Sequence, residues 1–153
     1  MLFLCFKVGK ETYGIRASEI IEVIPLIPLE KVPGSETSIA GIFNYRGNPL
    51  PVIDLCQYFH QHPCQQLLSS RIIIIRQQHA GTYFDVGLIA ENVTETLQAN
   101  ETEFHASGLK NSQDDFLGEI MHQQNKLIQI INTDRLIPPS MRLAIEQTRK
   151  KKA

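Results

Sequence analysis

Four side chains able to hold a soft metal ion fall in one short segment: Cys56, His60, His62 and Cys64, in the pattern C-x3-H-x-H-x-C. Thiolate and imidazole are the usual ligands of tetrahedral zinc, so the donor types are adequate. The spacing is not that of a zinc ribbon or finger. A short helix starting near Asp54 would put Cys56 and His60 on one face, with His62 and Cys64 beyond it on either side of Pro63. Cys56 and His60 also have the composition of a nucleophile and its base, but no orienting third group and no oxyanion-donor pattern accompany them. The plain alternative, one buried cysteine and a His-containing polar loop, is preferred. No metal, cofactor or catalytic set is therefore assigned. His79, His105 and His122 sit in or beside expected turns and loops, and no Gly-rich run precedes a Lys-Ser or Lys-Thr as in phosphate-binding loops.

A second kind of chemistry, recognition, is concentrated in Gly41 to Leu55, which reads GIFNYRGNPLPVIDL. Two apolar runs, Ile39 to Phe43 and Leu50 to Leu55, flank a polar centre, and the pattern predicts a strand, a tight turn and a second strand. Gly47-Asn48 is expected to take the positive-φ positions of the hairpin turn. Pro49 and Pro51 lack a backbone donor, so the second strand should lie at an edge or flank a bulge. Arg46 is then exposed on a firmly backed turn. Arg46 and Glu22 read, from the residues alone, as solvated charges or as a salt bridge pinning the turn to a neighbouring strand.

Composition narrows the function classes. With 153 residues the chain is expected to form one domain, and 42% hydrophobic with 20% charged residues is ordinary for a globular protein. Fifteen Lys and Arg against 16 acidic residues give a formal charge of -1, which argues against a phosphate-tracking, nucleic-acid-binding face. Three cysteines (Cys5, Cys56, Cys64) and no signal-like start point to a reducing, cytoplasmic setting without direct membrane insertion. The longest apolar run, Met1 to Phe6, is far below the roughly 20 residues of a membrane span.

Along the chain, Leu2 to Val8 and Thr12 to Arg16 form an expected hairpin, and Ser18 is placed to cap a helical turn before Ile20 to Ile24. Asp54 to Phe59 should make one or two helical turns, and Gln57 to Ser70 reads as a polar linker. Arg71 to Arg76 encloses four isoleucines, a central strand by propensity. Thr82 to Leu88 and Glu91 to Leu97 read as two further strands, and Ala99 to Asp115 as loop. Phe116 to His122 and Lys126 to Ile131 make a last pair. A short helix near Asn132 or Thr133 and a helical tail over 138–153, ending R-K-K-K, close the chain. Each half runs hairpin, Ile-x-Glu, loop, Gly, strand, turn, strand, short helix. One offset of 77 residues matches Gly41 with Gly118, Asn48 with Asn125, Leu50 with Leu127 and Ile53 with Ile130, which points to a duplicated β unit. Approximate subdomains are expected at 1–70 and 71–137, as two small packed barrels of short strands.

With these motifs in order the chain resembles the CheW-like adaptor family of bacterial chemosensory arrays. The residues that carry the resemblance are Phe6-x-Val-Gly, Tyr13-Gly-Ile, Ile20-x-Glu22-Val23, Gly41-Ile-x-Asn44-x-Arg46-Gly47, Pro51-Val-Ile-Asp-Leu55 and Gly87-Leu-Ile-x-Glu91-x-Val93. The resemblance runs from about Leu2 to Ile137, with these motifs in order. Tyr45 stands where the family usually has Leu, and Ala90-Glu91 where it usually has Val-Asp. Phe43 to Gly47, the short N-terminus and the expected tail most resemble the adaptors of Wsp-type surface-sensing pathways. The resemblance implies an all-β fold of two pseudo-symmetric five-stranded SH3-like barrels. It also implies a non-catalytic scaffold at membrane-associated receptor arrays, holding a chemoreceptor's cytoplasmic signalling tip and the regulatory domain of a CheA-type histidine kinase. The receptor-facing set it implies is Ile20, Glu22, Val23, Asn44, Arg46, Gly47, Glu91 and Val93. The other readings are a free-standing kinase-regulatory-type domain that competes with such an adaptor, and a metal module on Cys56, His60, His62 and Cys64.

Overall fold

The computed structural model describes residues 1–79, 81–100, 104–106, 117–123 and 125–136. The isoleucine run is its centre. Ile72, Ile73, Ile74 and Ile75 are each 0% exposed within strand β6 (Arg71–His79). A strand alternates its side chains, so both faces of β6 must be covered. Ile73 and Ile75 pack with Phe6, Ile15, Leu55 and Leu88, whereas Ile72 and Ile74 pack with Leu50 and Val52. Each such side chain contributes ~1.5–3 kcal/mol by leaving water.

Two curled units share this core, as expected. The first has the strand order β3 (Ile20–Pro25), β6, β7 (Thr82–Gln98), β5 (Asn48–Asp54), β4 (Ile39–Tyr45). The second runs β7, β1 (Leu2–Val8), β2 (Glu11–Arg16), β10 (Lys126–Ile131), β9 (Leu117–Gln123), with the short β8 (Phe104–Ala106) at its edge. β8 falls inside the stretch expected to be loop. The two strands expected at Thr82 to Leu88 and Glu91 to Leu97 are one, 17 residues long. β7 pairs with β6 as far as Ala90 and with β1 from Glu91 onward, bending at Asn92 (φ 48°).

The units do not follow the boundary expected near residue 70. The first is built from residues 20–90; the second takes β1 and β2 from the N-terminal end of the chain and β8 to β10 from its second half. The crossings run through the single turn 17–19 and through β7. Ser18 lies inside that 3-10 turn, with no side-chain cap at its start.

The duplication is real, but its register is 78 and not 77. The parallel pair Val52↔Gly87 in the first unit corresponds to Ile130↔Gly14 in the second, Phe43↔Leu50 to Met121↔Ile128, and Ile39↔Ile53 to Leu117↔Ile131. The counterpart of buried Leu50 is therefore Ile128, 1% exposed, and Leu127 beside it is 63% exposed. Matching by identical letters slipped one residue, and in a strand that moves every side chain to the opposite face. The helices agree with the structural register. Asp54 caps α1 (Leu55–His60) by accepting from the Gln57 N–H, and Asn132, 78 residues on, caps the 3-10 turn Thr133–Arg135 by accepting from the Asp134 N–H. The expected tail over 138–153 lies outside the described residues.

Candidate functional site

The β4–β5 turn places Arg46 and Gly47, not Gly47 and Asn48, at its two central positions, with φ of 50° and 87°. Tyr45 and Asn48 face each other as the last strand pair. Both central residues carry positive φ, as a two-residue hairpin with right-twisted strands requires. Asn44 builds the turn: its Oδ1 accepts from the Gly47 N–H at 2.9 Å. Pro49 and Pro51 lie where β5 has only β4 beside it, since pairing with β7 begins at Val52. The missing donors thus face no ladder.

Arg46 leans back over the ring of Tyr45, 5.1 Å from its centroid, and reaches the carboxylate of Glu22 on β3. The Arg46 Nη2 donates to Glu22 Oε2 at 3.4 Å, and the Tyr45 hydroxyl donates to the same oxygen at 2.5 Å. That hydrogen bond, more than desolvation, raises the Tyr45 phenol above its ordinary pKa, while nearby Arg46 opposes the rise. The salt bridge from the turn to a neighbouring strand, one of the two readings of these charges, is present, and Tyr45 adds to it. Glu22 and Arg46 are two corners of an exposed triangle whose third corner is aromatic, with Arg46 72% exposed at its side chain. The spacing of residues 22 and 46 gave no sign of Tyr45's part.

β3 carries a bulge between Ile20 and Glu22. Ile20 leans on the central core, Ile21 and Ile24 on the Leu50 cluster, and Val23 is 38% exposed. Beyond it, Leu26, Ile27, Pro28, Leu29 and Val32 line an open groove of about 660 Å³ together with Asp54, Gln57, Pro63 and Cys64.

Glu91 and Val93 do not join this surface. They are only 7% and 9% exposed. Glu91 Oε1 lies 2.9 Å from the Cys56 Sγ and accepts from the Gln65 N–H at 3.3 Å, and Val93 belongs to the central core. Both sit at the bend where β7 passes from one unit to the other, so their side chains turn inward. Alternation along a strand cannot forecast which side a bend selects.

The four candidate metal ligands are split. His60 faces Glu11 and the Val8 carbonyl, each at 3.3 Å, and His62 is exposed beside Pro63. Cys56 and Cys64 form a disulfide, with Cα atoms 5.0 Å apart, so neither matches the expected lone buried cysteine of this segment. Asp54, Cys56 and Cys64 bring donor atoms within 4.8 Å of one another. The two sulfurs are bonded, however, and the Asp54 carboxylate accepts from the Cys64 N–H at 3.1 and 3.2 Å and from the Gln57 N–H at 3.1 Å. That donor set does not fit a metal ion. Cys5 is buried and unpaired, its thiol pushed up to about 11 by burial first and by Glu95 second. No helix among the described residues is long and apolar enough to cross a membrane.

Residues 2–139 match the family model of the CheW-like domain. The chain is 26% identical over 136 residues, 88% of its length and 85% of the relative's, to the chemotaxis protein CheW of Bacillus subtilis. It is 30% identical over 103 residues, 66% of its length and 59% of the relative's, to the CheW of Helicobacter pylori. Its structure resembles the crystal structure of the scaffolding protein TtCheW from Thermoanaerobacter tengcongensis with a TM-score of 0.79. That match has 29% identity and covers 90% of this chain and 87% of the other.

Proposed function

The chain belongs to the CheW-like domain family, a family of non-catalytic chemotaxis scaffolds, and on that premise we propose that it couples a chemoreceptor's cytoplasmic signalling tip to a CheA-type histidine kinase. The observation that carries this reading is the exposed Glu22–Tyr45–Arg46 triangle on β3 and the β4–β5 turn. A helical tip needs a few fixed charges to set its register, which the triangle supplies, and partly exposed Val23 lies on the same strand. Asn44 and Gly47 act by shaping the turn, and Ile20 by backing β3. Glu91 and Val93 act from inside, holding the bend of β7. The chain works in the cytoplasm, at arrays of membrane-bound receptors, where many modest contacts add through valency.

The test is a binding measurement with a receptor's helical signalling hairpin and, separately, with the kinase regulatory domain. Wild type should bind both. Arg46→Glu should lose the hairpin, because it places a second negative charge beside Glu22, and should keep the kinase domain. Its unfolding free energy should change by no more than ~1–2 kcal/mol, since exposed ion pairs and cation–π contacts are each worth ~1 kcal/mol or less. Equal hairpin binding by wild type and Arg46→Glu would remove the triangle from the interface. Kinase-domain binding with no hairpin binding by either protein would favour the competing regulatory domain.

A further inference from the structure

We infer that Cys56 and Cys64 form a reversible thiol–disulfide site, in which Glu91 takes the Cys56 proton and closure of the bond fixes one wall of the groove. Cys56 is fully buried in the first turn of α1, while Cys64 is partly exposed and lines the groove. The chain between them is built to return. Gln61 ends α1 in the left-handed conformation (φ 63°), and the Asp54 carboxylate holds the Cys64 N–H. The Cα separation of 5.0 Å lies within the range a disulfide spans without backbone movement.

Glu91 makes the site a two-state one. A buried carboxylate needs donors. Glu91 Oε1 lies 2.9 Å from the Cys56 sulfur, so with both cysteines reduced the S–H is placed to supply one, beside the Gln65 N–H. Once the disulfide forms, Cys56 has no proton to give, and Glu91 keeps the donor on Gln65 alone. Closure can proceed with a low-molecular-weight disulfide as oxidant. The Cys64 thiolate, reached through the groove, attacks that disulfide, forms a mixed disulfide and expels one thiolate. Glu91 then accepts the Cys56 proton as the Cys56 sulfur attacks Cys64, and the second thiolate leaves. Two protein thiols and one disulfide become one protein disulfide and two small thiols, and a stronger dithiol runs the exchange backwards. Cys5, buried and unpaired, is the internal control.

The experiment uses the full chain equilibrated in glutathione buffers of graded ratio, then alkylated and mapped by mass. Cys56 and Cys64 should lose alkylation together as the oxidised fraction rises and recover it in dithiothreitol, while Cys5 is alkylated only after denaturation. Amide exchange over residues 61–66 should slow in the oxidised form. Glu91→Gln, which accepts no proton, should slow closure on the order of tenfold or more. Cys64→Ser, a partly exposed position, should leave Cys56 unmodified. Two thiols at every glutathione ratio would overturn the inference, as would a bond that dithiothreitol does not open in the folded chain, or a mixed disulfide on Cys64 that never closes.

Discussion

The Asp54 carboxylate ties the start of α1 to the Cys64 segment, and removing it should be correspondingly costly. The residue is 8% exposed, and its carboxylate caps α1 through the Gln57 N–H at 3.1 Å. It also holds the Cys64 N–H through both oxygens, at 3.1 and 3.2 Å. Loss of a helix cap alone costs ~1 kcal/mol. The Cys64 bond runs to a charged acceptor in a shielded place, and stripping it leaves a partly buried N–H unpaired, a further ~1–3 kcal/mol. Asp54→Ala should therefore lose ~2–4 kcal/mol of unfolding free energy, read as a lower urea midpoint at unchanged slope. Asn132 provides the internal comparison. It occupies the same place in the second unit and accepts a single solvent-exposed bond, from the Asp134 N–H at 3.2 Å. Asn132→Ala should cost only ~0.5–1 kcal/mol. Equal losses at the two caps, or a loss below ~1 kcal/mol for Asp54→Ala, would refute the idea that the carboxylate ties the 61–64 segment to the helix.

Gly87→Ala should destabilise by ~1–3 kcal/mol in urea unfolding, because an added Cβ would lie 2.8 Å from Ile72 Cγ2 and 3.1 Å from Val52 Cγ2 in a filled core. At its counterpart, Gly14→Ala should cost less, the nearest contacts being 3.2 Å to the flexible Ile130 Cδ1 end and 3.3 Å to Ile128 Cγ2. Leu127→Ser should leave the thermal midpoint nearly unchanged, while Ile128→Ser lowers it strongly, since the two are 63% and 1% exposed. The Tyr13 phenol is raised from 10.0 to about 12, by burial first and by Glu11 second. The unfolded chain therefore releases this proton before the folded one does, and stability should fall as pH rises from 10 towards 12. The loss should reach ~2–3 kcal/mol. Tyr13→Phe should remove that part of the alkaline loss, followed by denaturant titration at stepped pH.

The strands were legible because burial writes itself into residue type. Four isoleucines between arginines favour a central strand by propensity, and Asp54 before a short amphipathic run is placed to start a helix. The triangle was legible in part. Glu22 and Arg46 are recognisable as exposed charges, but that Tyr45 completes them depends on β3 and β4 coming together at one end of the first unit, which no local pattern records. Glu91 and Val93 show the opposite limit. They carry the motif of a surface strand, yet the bend at Asn92 rotates them into the core. The Cys56–Cys64 pair was hidden for a related reason. Helix periodicity pairs Cys56 with His60, whereas the left-handed Gln61 turns the chain back and delivers Cys64 in its stead.

The exchange of strands between the units explains why a duplicated chain behaves as one object. Were each repeat to close on itself, β3 would lie beside β1 and β2, and the second half of β7 beside β6. Instead β3 pairs with β6 and the second half of β7 with β1, so each repeat supplies strands the other unit needs. Neither half of the sequence can then bury its apolar faces alone: the Phe6 and Ile15 side chains of the first repeat meet Ile73, Ile75 and Leu88 of the second. Pairings of such long sequence separation must be made before the core rewards them, which favours slow, all-or-none assembly over independent subdomains. It also gives the bend of β7 a place in the packing. Glu91 sits where the chain leaves one unit for the other and touches Cys56 at the start of α1, whose cap Asp54 holds the Cys64 segment, so a carboxylate, a sulfur pair and a helix cap are in contact at the passage between units.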